Sequence, residues 1–249
     1  AGLLTAALPA RPRSAKSLFA MANPTATSSA SAPVTHDDPL RRQLRSGRFD
    51  RSLSPLPGAE AEVRRIAGNF PASTVSVVSG AKATESAYKS GATAARFVHF
   101  ATHAIASDGQ PLYSTLVLAP DAAAGDDGFL QAYEVLRTPL TAELVTLSAC
   151  ETASGSEDRG QGLVGLVAAF QQAGARSVLA TLWSVDEATA EVTTGFYSAV
   201  AQGQPAAAAL RQAKLGLLDE RVRMGGVEIS LSHPFFWAPF ILVGAPADR

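Results

Sequence analysis

One cysteine in 249 residues is the scarcest feature of this chain, with two methionines and two tryptophans next. A single thiol excludes an internal disulfide, so nothing demands an oxidising compartment, and a cytoplasmic location is the expectation. Neither sign of charge is in excess: 21 basic side chains stand against 22 acidic ones, a net charge of −1. That balance lacks the footprint of a nucleic-acid-binding surface and offers acidic membranes no general attraction. No apolar run reaches the roughly 18 residues of a membrane-crossing helix. The four histidines (His36, His99, His103 and His233) and the cysteine are scattered without metal-ligand spacing, so no metal and no other cofactor is expected. There is no initial Met, and the opening AGLLTAALPA lacks the charged start of a signal peptide. The chain reads as a piece cut from a longer one.

What is present is an alternation of strands and helices. Residues 1–16 read as a linker or the end of an upstream element, 17–244 as one domain, and 245–249 as a tail. Within the domain, 23–54 is expected to be a mobile loop, because NPTATSSASAPVTHDDP has few large apolar side chains to bury. Helical spacing places Ala59, Val63 and Ile66 on one face over 58–69. Strands are expected at 17–22, 73–80, 95–101, 143–149, 175–183 and 235–244, with a hairpin from 114–120 and 128–131. Helices are expected at 83–91 (closed by Gly91), 131–138, 162–174 (ending at Gly174), 186–203 and 205–220. The pattern predicts an α/β fold, a three-layer α/β/α sandwich around a mostly parallel sheet.

In such sheets ligands sit beyond the carboxyl ends of the strands. The run 95–101 is followed by Thr102-His103-Ala104, 143–149 by Cys150-Glu151-Thr152, and 175–183 by Ser184-Val185-Asp186. A histidine, a thiol and a carboxylate are thereby placed on one edge. A thiol is the best side-chain nucleophile near neutral pH, and an imidazole beside it can take its proton and later protonate a leaving amine. Small residues after Cys150 leave room for a substrate backbone, and the Cys150 N–H can turn toward a developing oxyanion. A lone Cys after an apolar strand also reads as a small buried hydrophobe, and it is His103 that tips the balance. His99, inside its strand, reads as a structural, hydrogen-bonded histidine, His233 as a loop residue, and His36 as having no role. Ser184 and Glu187 fit a capping box, which leaves Asp186 free to line an acidic pocket that prefers Lys or Arg.

The blocks FVHFATHA, LVLAP, ELVTLSACET, GQGLVGLVAAFQQAGARSVLATLWSVDEATA and HPFFWAPFILVG closely resemble a CHAT domain, over roughly residues 17–244, with PLPGAEAEV fitting the start of the pattern. The resemblance implies a caspase-haemoglobinase-like fold, kinship with the caspase, separase and gingipain cysteine peptidases, and a His–Cys dyad carried by His103 and Cys150. It implies an oxyanion hole from the N–H groups of Ala104 and Cys150, and substrate-binding acids at Asp186, which receives a basic residue, and Glu151. It implies a protein substrate and a place after a TPR or other sensing region, as in bacterial proteins. One departure stands out. The family most often has Gly after the dyad histidine, and Ala104 keeps the N–H but disfavours a left-handed backbone.

Overall fold

A computed structural model describes residues 16–25, 55–107, 110–151, 161–183, 188–224 and 227–244. The expected mobile loop, apart from its first residues, and both terminal segments lie outside them.

The centre of the molecule is the strand β3, Ala95–Ile105. Its sequence ARFVHFATHAI has no Gly or Pro, and every residue from Phe97 onward is buried, as a strand covered on both faces requires. Parallel neighbours are β1 (Lys16–Pro24) on one side and β6 (Leu144–Glu151) on the other. β2 (Val75–Gly80) extends the sheet beyond β1, and β7 (Ser177–Thr181) extends it beyond β6, all parallel. β10 (Phe240–Gly244) closes the β7 side antiparallel, giving the order β10-β7-β6-β3-β1-β2. A hairpin of β4 (Thr115–Val117) and β5 (Phe129–Gln131) attaches to the end of β3.

Side-chain alternation divides this sheet into two apolar faces. Val98, Phe100, Val145, Leu147 and Val178 pack against α2 (Glu85–Gly91), α3 (Ala132–Val135) and α4 (Gln161–Ala173). Phe170 of α4 is fully buried there, its ring 5.5 Å from Phe100 and 6.4 Å from Tyr88. On the other face, Phe97, Ala101, Leu144 and Leu179 pack against α1 (Pro57–Ala67), α5 (Ala188–Ala201) and α6 (Ala206–Gly216). The result is the expected three-layer α/β/α architecture with a mostly parallel sheet. Val63 and Ile66 are the buried stripe of α1, as the spacing predicts.

Several boundaries differ from the sequence reading, each for a local reason. β3 runs four residues past Ala101, because Ala104 and Ile105 find antiparallel partners in Leu116 and Thr115. β6 likewise continues through Cys150 and Glu151, registered with His103 and Ala104. The expected strand over 235–244 splits. Pro234 starts a helical turn, α7 (Pro234–Trp237), and only Phe240–Gly244 is extended. His233 caps that turn, its Nδ1 accepting the N–H of Phe235 at 3.2 Å, so it is more than a loop residue. The sequence reading did not anticipate the small hairpin of β8 (Arg221–Met224) and β9 (Val227–Ser230), exposed and without a strong alternating pattern. Gly91 does not end α2 through a left-handed cap. A Cβ there would sit 2.1 Å from the Phe19 ring, so close packing is what requires glycine. Gly174, with φ +119°, does end α4 as expected.

Candidate active site

His103 and Cys150 are register partners on the adjacent parallel strands β3 and β6. Neighbouring strands lie about 4.8 Å apart, so the two backbone positions are as close as a parallel sheet allows. The ladder explains the pairing: it begins at Phe97↔Leu144 and continues without a shift to Ala104↔Glu151. His103 is 7% exposed. The register of β6 with β7 runs only from Leu144↔Ser177 to Leu147↔Ala180. Ser148, Ala149, Cys150 and Glu151 therefore have no partner from β7 among the described residues. Both His103 and Cys150 stand at the carboxyl ends of their strands, the edge where α/β sheets receive ligands.

Ala104 is extended, not left-handed. Among the described residues, Asn23 (φ 43°) is the non-glycine with positive φ. The alanine that replaces the family's usual glycine thus sits in ordinary strand geometry without strain. It is registered with Leu116 on one side and Glu151 on the other. Thr102, on the opposite face from His103, ties β3 to β4 by donating its hydroxyl to the Val117 carbonyl. Asp186 and the expected cap residues Ser184 and Glu187 lie outside the described residues.

Below His103 on the same face of the sheet lies a polar cluster. His99 is fully buried on β3, four residues before His103 and on the same face. It is the structural, hydrogen-bonded histidine expected: its Nδ1 is 3.3 Å from the Tyr197 hydroxyl of α5, which donates to Thr146 Oγ1 of β6 at 2.8 Å. Its Nε2 is 3.5 Å from Oε1 of Glu62 on α1, a carboxyl only 7% exposed. The other oxygen of Glu62 accepts from Ser148 Oγ at 3.1 Å. Burial pushes the Glu62 carboxyl up to about 7, against the opposing effects of Ser148, Thr193 and Arg65. Burial pushes His99 down to about 3. Burial thus favours the neutral pair, with the proton on the carboxyl below about pH 7, although its geometry alone would also suit an ion pair.

The sequence analysis did not single out Glu62. A signal was available: position 62 falls three residues after Ala59 and four before Ile66, so an acid stands on the stripe that faces the sheet. An open groove of about 480 Å³ lined by Leu210, Lys214, Trp237 and Phe240, among others, involves neither dyad residue. No helix among the described residues is long and apolar enough to cross a membrane.

Comparison with known proteins places this arrangement. The family model described as "CHAT domain" matches residues 2–245. Tetratricopeptide repeat protein 28 of Homo sapiens is 31% identical over 258 residues, spanning 89% of this chain and 10% of the relative. Its Mus musculus counterpart is 29% identical over 263 residues, with the same coverage. The chain thus spans about a tenth of the length of these curated relatives. With the family model matching nearly end to end, on a caspase-like α/β/α fold, this chain belongs to the CHAT domain family.

Proposed function

We propose that the chain is a cysteine endopeptidase whose dyad is Cys150 and His103. The observation that carries this reading is the register pairing of those two residues at the carboxyl ends of adjacent parallel strands. In the proposed mechanism His103 takes the thiol proton as Cys150 attacks the scissile carbonyl carbon. It then gives that proton to the leaving amine as the C–N bond breaks. Water, deprotonated by the same imidazole, hydrolyses the thioester and restores the thiol. The Cys150 N–H supplies the first donor to the oxyanion. Ala104 supplies the second once its N–H is released from the ladder with Leu116 and Glu151. Asp186, with Glu151 as a second acid, attracts a Lys or Arg side chain before the scissile bond.

The relatives are named for tetratricopeptide repeats, which supports an upstream repeat region that gates the site. In this reading that upstream region gates access to the site when it engages its signal.

The test is cleavage of a mixed peptide library by the wild type and by Cys150→Ala, read by mass spectrometry. Cleavage after Lys or Arg that vanishes in the variant supports the peptidase, and cleavage that persists in Cys150→Ala defeats it. Asp186→Ala is expected to lower the ratio of Lys/Arg to neutral cleavage, and an unchanged ratio removes Asp186 from the pocket.

A second reading, a catalytically silent module that relays a signal between partners, is favoured by one observation. Ala104 is registered with a strand on both sides, which withholds its N–H from an oxyanion hole. Alkylation at pH 6 separates the two, because a poised thiolate reacts there and an ordinary thiol does not.

A further inference from the structure

The buried cluster beneath the dyad contains an acid that the proposed chemistry does not use. Glu62 Oε1 and His99 Nε2 face each other at 3.5 Å, and neither has another hydrogen-bond partner among the described residues. Two proton assignments satisfy this chain of contacts, an imidazolium facing a carboxylate and a neutral imidazole facing a carboxylic acid, and the burial of both groups favours the neutral one. Tyr197 gives its only proton to Thr146, so it must accept from His99 at Nδ1. With the imidazole neutral, His99 Nε2 is then a bare acceptor, and the group in reach that can supply a proton is the Glu62 carboxyl. Glu62 Oε2 meanwhile accepts from Ser148. In the neutral assignment the carboxyl is the acid, offering its proton to His99 through one oxygen and accepting from Ser148 through the other.

Its location gives that neutrality a consequence. Successive register rows on one face of the sheet are His99↔Thr146, Ala101↔Ser148 and His103↔Cys150. Glu62 bonds to the middle row, one step from the dyad. Two residues of strand are about 6.6 Å.

We propose that Glu62 is a positioning residue of the site: held as the neutral acid between His99 and Ser148, it keeps the floor beneath Cys150 and His103 uncharged and thereby sets the acidity of the thiol. The proposal rests on the dyad assigned above. If Glu62 ionises, His99 Nε2 loses its donor and a negative charge appears beneath the thiolate. At a separation of one register row, on the order of 7 Å, and an intermediate effective dielectric, that charge raises the thiol by about one pH unit. The groups facing Glu62 are few. β3 presents His99 and then His103, β6 presents Ser148, and α5 presents Thr193 and Tyr197. Arg65 of its own helix is the nearby cation, half-exposed and shared with Glu191 of α5 at 4.0 Å.

The chain's only cysteine makes the test direct, since alkylation reports Cys150 without any substrate. The rate of reaction with iodoacetamide is measured from pH 5.5 to 9 for the wild type and Glu62→Gln. Glutamine mimics the neutral acid at every pH, its NH₂ donating to His99 and its oxygen accepting from Ser148. The expected result is equal rates, within about twofold, at pH 6, and a thiol midpoint about one unit lower in the variant. Ser148→Ala, a small change on the strand, removes a donor that favours the carboxylate, so its profile moves toward that of Glu62→Gln. Superimposed profiles for the wild type and Glu62→Gln, or a midpoint that rises in the variant, overturn the proposal. A role in folding alone would lower stability without moving the midpoint. Failure of the dyad reading is seen separately: His103→Ala then leaves the thiol profile unchanged.

Discussion

His103 and Cys150 face each other across one step of an unbroken parallel ladder, eight registered pairs long, that starts at Phe97↔Leu144. The sheet thus brings together two residues 47 positions apart, with no loop needed to hold either backbone. Were they to act as the proposed nucleophile and base, backbones held on strands would give them the fixed geometry from which such a pair gains most.

The first prediction follows from that rigidity. An ordinary thiol, ionised near pH 8.5, is about 0.3% thiolate at pH 6 and alkylates slowly. In the proposed dyad an imidazole beside the thiol favours the thiolate. His103→Ala is expected to slow alkylation of Cys150 at pH 6 by about tenfold or more. Equal rates for wild type and variant would show that the imidazole does not act on the thiol.

Much of the fold was legible because it is written in long patterns. Apolar runs such as FVHFA and ELVTLSA, separated by helical segments, specify the strand–helix alternation, and Gly174 marks the end of α4. That His103 and Cys150 fall side by side was legible for the same reason, since each stands at the carboxyl end of a buried strand. What escaped were features decided by tertiary partners. β3 and β6 continue past their apolar runs because other strands pair with them. Gly91 looks like a cap in sequence, yet its reason is a ring from β1. Glu62 is a charged letter in a helix pattern, and only the fold shows that it lies against His99 and Ser148. Asp186 was inferred from its place after the 175–183 run and from its block, and it lies outside the described residues.

Two glycines at helix ends should respond oppositely to alanine. At Gly91 a Cβ would overlap the buried Phe19 ring at 2.1 Å. Helix propensity would favour the alanine by about 1 kcal/mol, but overpacking against a core ring costs about 1–3 kcal/mol, and more when the ring cannot move. Gly216 ends α6 with helical φ −56°, and a Cβ there meets nothing within 4 Å. Urea unfolding is expected to show Gly91→Ala destabilised by about 2 kcal/mol and Gly216→Ala stabilised by about 0.5–1 kcal/mol.

A second buried acid makes a similar point through a salt bridge. Glu85, 2% exposed, accepts from the Gly128 N–H and from Lys89 Nζ at 3.2 Å, and Lys89 also lies 3.7 Å from Asp126. Burial, with Glu134 and Asp127 adding to it, pushes Glu85 up to about 7. Lys89→Met leaves these carboxylates without that cation. The loss of stability is expected to be about 1–2 kcal/mol at pH 8, because Lys89 is itself half-exposed. It should shrink at pH 5, where Glu85 is protonated and needs no partner. A loss independent of pH would assign the effect to packing of the lysine stem.

The Glu62–His99 pair predicts the shape of stability against pH, and its two members act with opposite signs. The folded carboxyl sits at about 7 against an ordinary 4.5, so between those values the folded state holds a proton that the unfolded chain has lost. Its contribution is fully present below about pH 4.5 and is lost as pH rises through 7. His99 sits at about 3 against an ordinary 6.5. Between those values the unfolded chain holds the extra proton, so this contribution is lost as pH falls from 6.5 through 3. Where the windows overlap, from about 4.5 to 6.5, the slopes cancel and the pair leaves stability flat. In Glu62→Gln the carboxyl's contribution disappears while that of His99 remains, so stability rises steadily up to about pH 6.5. Between pH 4.5 and 7 the variant should gain up to ~3 kcal/mol relative to the wild type, an upper value for one buried group. Thermal melts of both proteins at pH 4.5, 5.5, 6.5 and 7.5 read this directly. A constant difference in Tm across that range would mean that Glu62 is already ionised in the folded protein.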